Sequence, residues 1–244
     1  MMKKLLILCF YPVLFFGQSE FNKAQQLVTD KDFDAAEKIL LIEVESTPDN
    51  LQVIELLGDV YGAKKEWDAA IVHYKKLVDL VPENANYHYK YGGVLGMKAL
   101  SVSKIKALGI IGDVKKEFHT AAALDSKHID TRWALVKLYT ELPGIIGGST
   151  NKALKYAEEL EALSLVDGYL AKGYVYNYEE DFDDAENYYK KAVAVGGSVT
   201  CYKELSTFYI AQNNTEKAIQ TLTKAYDIHK TNAFLQQIKT LRDN

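Results

Sequence analysis

The chain has little from which a covalent or metal-based scaffold could be built. Two of its 244 residues are cysteine, Cys9 and Cys201. Cys9 lies in an apolar N-terminal run, so loss of that run leaves Cys201 alone and an internal disulfide impossible. Cys201 itself sits among apolar helical positions and reads as a buried, inert thiol. The five histidines, His73, His88, His119, His128 and His229, are scattered. No HExxH or CxxC spacing occurs, so no metal site is expected. Neither a Gly-x-Ser-x-Gly elbow nor a dinucleotide-binding glycine pattern is present, and no enzyme activity or cofactor is expected. Prolines number four, and no low-complexity linker divides the chain. Basic residues are outnumbered, 29 against 33 acidic, for a net charge of −4. That balance makes nucleic acid or an anionic membrane a poor candidate partner, since both need clustered Lys and Arg.

The N-terminus reads as an address. Lys3 and Lys4 form a basic start, and Leu5 to Phe16 is an apolar run of signal-peptide length, too short to span a bilayer. Leu8 before Cys9 argues against a lipoprotein site. The expectation is a leader over residues 1–18, cleaved near Gly17–Ser19. The mature chain then has a net charge of about −6, because Lys3 and Lys4 leave with the leader. It is expected to be exported, to a bacterial periplasm or beyond the cell, with no remaining membrane span.

From there the sequence repeats. In residues 51–84, Ile54, Leu57, Gly58 and Tyr61 share one face of a first helix, and Ala70, Tyr74 and Leu77 share a face of a second. Pro82 ends the second helix. Phe33-Asp34-Ala35-Ala36 precedes Trp67-Asp68-Ala69-Ala70 by 34 residues, and Pro48 precedes Pro82 by the same step. Later copies carry Tyr91, Gly92, Leu95, Phe118 and Ala121; Arg132, Leu135, Val136, Tyr139, Ala153, Ala157 and Leu160; Tyr169, Gly173, Tyr176, Ala185, Tyr189 and Ala192; and Tyr202, Leu205, Ser206, Tyr209, Ala218, Leu222 and Ala225. Residues 232–242, with Phe234, Ile238 and Leu241, read as a final amphipathic helix. Two stretches break the period. Residues 97–111, apolar and basic, lengthen the third copy by extending its first helix or forming a small extra turn, and its second helix is expected from about Asp113 to Leu124. Residues 143–149, with Pro143 and three glycines, lengthen the fourth, with Ser149 or Thr150 as cap of the next helix.

The period and the residues filling it resemble the tetratricopeptide repeat family, with Leu77 where alanine is usual. The resemblance covers residues 19–244 and implies an all-α fold: a single domain, a right-handed α-solenoid of about six helix pairs plus a C-terminal capping helix. It also implies a non-enzymatic scaffold that binds a protein or peptide. By family register, the first helix of each pair lines a concave groove. Its candidate binding residues here are Tyr89, Trp133, Lys137, Tyr174, Asn177, Tyr178 and Lys203, aromatic anchors with amide and ammonium donors. The positions that hold a C-terminal carboxylate in chaperone-tail-binding members carry Phe21, Gln25, Glu55 and Asp59, so that clamp is absent. A second candidate site is the pair of insertions, read as adjacent loops with Gly109, Gly112, Gly144, Gly147, Gly148 and Ser149. They either pack together or form a pocket for a small ligand; Gly147 to Thr150 also resembles an anion nest.

Overall fold

The computed structural model describes residues 13–243. Thirteen α-helices and one short 3-10 turn account for nearly all of them, with no strand among the described residues. They pair in chain order: α1 (Val13–Thr29) with α2 (Phe33–Ser46), α3 (Leu51–Ala63) with α4 (Trp67–Leu80), and α5 (Ala85–Ser101) with α6 (Lys104–Leu124). These form one compact unit, which ends at Asp125. The second unit holds α7 (Ile129–Glu141) with α8 (Thr150–Leu163), α9 (Leu165–Tyr178) with α10 (Phe182–Gly196), α11 (Val199–Ala211) with α12 (Thr215–His229), and α13 (Asn232–Asp243). The pairs and the closing helix fall where the periodicity puts them, except for the second helix of the third pair. The expected leader lies largely in residues 1–12, outside the described residues.

In three of the six pairs a glycine of the first helix lies beneath an aromatic ring of the second. A Cβ on Gly58 would stand 2.8 Å from the Tyr74 ring, one on Gly92 2.8 Å from Phe118, and one on Gly173 2.8 Å from Tyr189. In those pairs the first helix lies flush against the second, and across the chain Leu57, Leu77, Leu135, Leu160 and Leu222 are completely buried. Each such leucine contributes about 2 kcal/mol by leaving water, which helices of 13–15 residues need because they are marginal alone. Cys201 is fully buried, its sulfur 3.3 Å from Ser198 Oγ. Helix α13 lays Phe234 and Ile238 over Leu222 and Ala225 and closes the end of the second unit.

Four of the turns within pairs are built alike. The first helix ends at a residue in the left-handed region: Lys31 (φ 63°), Lys65 (φ 61°), Glu180 (φ 61°) or Asn213 (φ 55°). The next N–H reaches back five residues, as in Asp32 to the Leu27 carbonyl at 2.8 Å and Asn214 to the Tyr209 carbonyl at 2.8 Å. Asp32, Asp181 and Asn214 then turn their side chains to cap the helix that follows. At two junctions, α2 to α3 and α10 to α11, neighbouring pairs are tied by a tyrosine–glutamate–lysine link. Glu37 accepts from the Tyr61 hydroxyl at 3.0 Å and pairs with Lys64 at 2.5 Å. Glu186 likewise accepts from Tyr209 and Lys217, both at 2.8 Å, and pairs with Lys190. Burial works to raise the Glu186 pKa, but bonds from Lys190, Lys217 and Tyr209 outweigh it and hold the group at about 2.

The third pair departs from expectation. Its second helix starts at Lys104, nine residues before Asp113, so the 97–111 insertion is not a loop. It lengthens both helices and turns between them at Val102 and Ser103. No proline interrupts residues 97–111, and a helix tolerates Gly109 and Gly112 at about 1 kcal/mol each. Inside this pair His88 is buried, with Nδ1 2.5 Å from Glu117 Oε2 and Nε2 2.9 Å from the Pro82 carbonyl oxygen.

Candidate functional site

In the first unit, the first helices of the pairs carry an ion network at one end of an open cavity. Lys90 Nζ lies 2.7 Å from Glu55 and 2.8 Å from Asp59, and Asp59 also accepts from the Tyr74 hydroxyl at 2.6 Å. Burial alone would lower the Lys90 pKa, but the bonds to Asp59 and Glu55 outweigh it and raise it. Burial, then the Asp59 charge, pushes the Tyr74 hydroxyl strongly up. One ammonium thus serves two carboxylates, and the rim carries a net negative charge. This also explains physically why no carboxylate clamp exists here: Glu55 and Asp59 are acceptors already committed to Lys90.

Beside the network lies a cavity of about 350 Å³ lined by Gly62, Trp67, Tyr74, Tyr89, Lys90, Gly93, Val94 and Met97. Its shape depends on two missing side chains. A Cβ on Gly62 or on Gly93 would meet nothing within 4 Å. Glycine inside a helix costs about 0.5–1 kcal/mol relative to alanine, and here no packing contact requires it, unlike at Gly58 and Gly92. Tyr89 was expected to face a groove; it does line this cavity, with its ring 6.2 Å from Phe118.

The second unit places the other groove candidates differently. Trp133 packs partly against the core around Leu170 and Ala185 and donates its indole N–H to Asp167 at 2.8 Å. Lys137 is exposed, its ammonium 6.0 Å from the centre of the Trp133 ring. Tyr174 donates to Glu141 at 2.6 Å, and burial followed by that bond raises its pKa. Tyr178 is open, with 52% of its surface exposed, next to the half-buried Asn177. Lys203 is exposed on α11. Leu170, on the same helix as Tyr174, is a core residue.

The glycine-loop site needs correction. Gly109 and Gly112 are helical residues of α6, so one of the two expected loops does not exist. The other is a short 3-10 turn over Gly144–Ile146 whose backbone is closed on itself. Gly147 N–H donates to Gly144 O, Gly148 N–H to Pro143 O, and Ser149 N–H to Tyr139 O at 2.8 Å. These three donors are used internally, which removes the anion nest. Gly147 sits at φ 97°, and a Cβ on Gly148 would fall 1.6 Å from the Leu142 carbonyl oxygen. The glycines are there to close the turn, and Ser149 caps α8 as expected. Among the described residues no group of three or more His, Cys, Asp or Glu could hold a metal. No helix among them is long and apolar enough to cross a membrane.

Helix pairs that pack in chain order within each unit, three of them with a glycine under a ring, define helical repeats. Two family models describe the repeat: one for TPR repeats matches residues 58–98, and one for the tetratricopeptide repeat matches residues 166–195. The chain carries tetratricopeptide repeats in an all-α fold. Solved structures share that fold at low sequence identity. PilW, described as a widely conserved type IV pilus biogenesis factor, is 15% identical with a TM-score of 0.65, covering 91% of this chain and 98% of its own. A tetratricopeptide repeat protein from Parabacteroides merdae ATCC 43184 is 13% identical with a TM-score of 0.62, covering 86% and 79%. YrrB, described as a TPR protein with an unusual peptide-binding site, is 17% identical with a TM-score of 0.51, covering 75% and 87%. No curated protein matches the chain significantly.

Proposed function

We propose that the chain is a non-enzymatic scaffold of the cell envelope that holds a segment of a partner protein against the first helices of its pairs. The observation that carries this reading is the cavity between α3, α4 and α5. Two helical glycines keep it open where no contact demands glycine, and Trp67, Tyr74, Tyr89 and Met97 supply apolar walls. A space of about 350 Å³ is the size of a small ligand pocket and takes one large apolar side chain. The acidic rim formed by Glu55, Asp59 and Lys90 favours a segment with an amide or basic residue next to that anchor. YrrB, a protein of this fold, is described as having a peptide-binding site. The envelope location rests on the basic-then-apolar N-terminus.

Filling the cavity tests the reading. Gly93→Leu places a side chain in open space and leaves the Gly92–Phe118 contact alone. In capture from native envelope extract, quantified by mass spectrometry, Gly93→Leu is expected to lose the main partner by tenfold or more, on the order of 1.4 kcal/mol. A Lys137→Ala/Tyr178→Ala variant in the second unit measures what that face adds. If both variants recover the wild-type partners in wild-type amounts, the scaffold reading fails.

A further inference from the structure

The tip of the third pair is built for a different surface. Helix α5 has 17 residues where α3 has 13, and α6 has 21 where α4 has 14. At 1.5 Å per residue the pair overhangs its neighbour by roughly 6–10 Å. Side chains on that overhang have no preceding pair to bury them. Leu100 is 75% exposed, Ile105 84% and Leu108 54%. From Ala85 to Gly112 the chain has no acidic residue, although acids outnumber bases overall; it has Lys90, Lys98, Lys104 and Lys106. Lys98 is tied to Asp68 at 2.6 Å, whereas Lys104 and Lys106 are exposed on either side of Ile105.

An exposed apolar tip flanked by ammonium groups fits a surface that is anionic outside and apolar just beneath. A concave protein pocket would need the apolar side chains on one face; here they come from both helices around a turn, as an insertion into a soft interface requires. We propose that residues 97–108 dock on an anionic lipid bilayer, with Leu100, Ile105 and Leu108 entering the acyl boundary and Lys104 and Lys106 meeting lipid phosphates. The acidic remainder of the chain would be held off such a surface, so the contact is confined to the tip. This inference is independent of the peptide-holding reading.

The test uses the full chain with phosphatidylcholine vesicles and with vesicles containing about 30% phosphatidylglycerol, read by co-sedimentation. Binding to the anionic vesicles is expected to be about tenfold tighter or more. Leu100→Ser/Ile105→Ser/Leu108→Ser and Lys104→Glu/Lys106→Glu should each remove about tenfold of it with unchanged helical circular dichroism. The apolar N-terminal run is present in every variant, so differences among them report the tip. Ile105→Trp gives a second readout: its emission should shift to the blue on anionic vesicles. Equal binding by all variants, indifference to lipid charge, or an unshifted Ile105→Trp spectrum overturns the proposal. So does a dimer, seen without lipid in analytical ultracentrifugation, that the serine variant abolishes.

Discussion

Gly58 lies under Tyr74 in α3/α4, and Gly92 lies under Phe118 in α5/α6, with the same 2.8 Å approach for a Cβ that neither residue has. At the far ends the two pairs part company. The α3 helix stops at a left-handed Lys65 and turns at once; α5 runs on to Ser101 and turns through extended Val102 and Ser103. The contact in the middle of a pair fixes how its helices lie against each other. The turn only has to join them, so it can lengthen without disturbing that contact, and function can be added there.

Four measurements would break or sharpen this comparison. Gly58→Ala and Gly92→Ala should each destabilise the protein by about 2 kcal/mol in urea unfolding, because the ring opposite must move. A smaller loss at Gly92 would mean that Phe118 gives way more readily than Tyr74, which Asp59 holds by its hydroxyl. Glu186→Gln should cost up to about 1 kcal/mol at neutral pH, a surface-screened value. Since the folded pKa is depressed from 4.5 to about 2, that stability is present above 4.5 and is lost as pH falls towards 2. The gap between variant and wild type should therefore close over that window; a constant gap would show that packing, not charge, joins α10 to its neighbours. Gly62→Ala and Gly93→Ala should stabilise by about 0.5–1 kcal/mol, the same substitution with the opposite sign, because their sides are open. Smallest is the turn: Lys65→Gly should gain about 0.5 kcal/mol by relieving a left-handed residue, while Ser103→Gly, at φ −62°, should lose a few tenths. Equal effects at both would mean that the two turns are strained alike.

The helix pairs were legible in the sequence because each needs the same small and large residues at the same spacing, and those residues interact locally. The insertions were not. Residues 97–111 carry glycine without proline, a composition compatible with helix or loop; extending two helices that already pack decides for helix. The cavity's trace in the sequence is the pair of extra glycines, Gly62 and Gly93, beside the expected Gly58 and Gly92. Only the backbone geometry shows that one kind of glycine meets a ring and the other meets space. Trp133 looked like a groove residue by register, yet it contacts the core, because its long side chain reaches past the helix face on which it starts.

Ser164 is both the last cap of α8 and the first cap of α9: its N–H donates to Leu160 at 2.7 Å and its hydroxyl accepts from Asp167 at 3.3 Å. The two helices share a hinge pin with no slack, and Gly168 passes so close to Glu161 that a Cβ would come within 2.3 Å of its backbone. A single residue added there would swing α9 by about 100° and carry Leu170 and Ala171 out of the interior. Joints of this kind set the phase of a helical chain. Changes of length are free to accumulate at outer bends such as Val102–Ser103 and are barred at a junction such as Ser164.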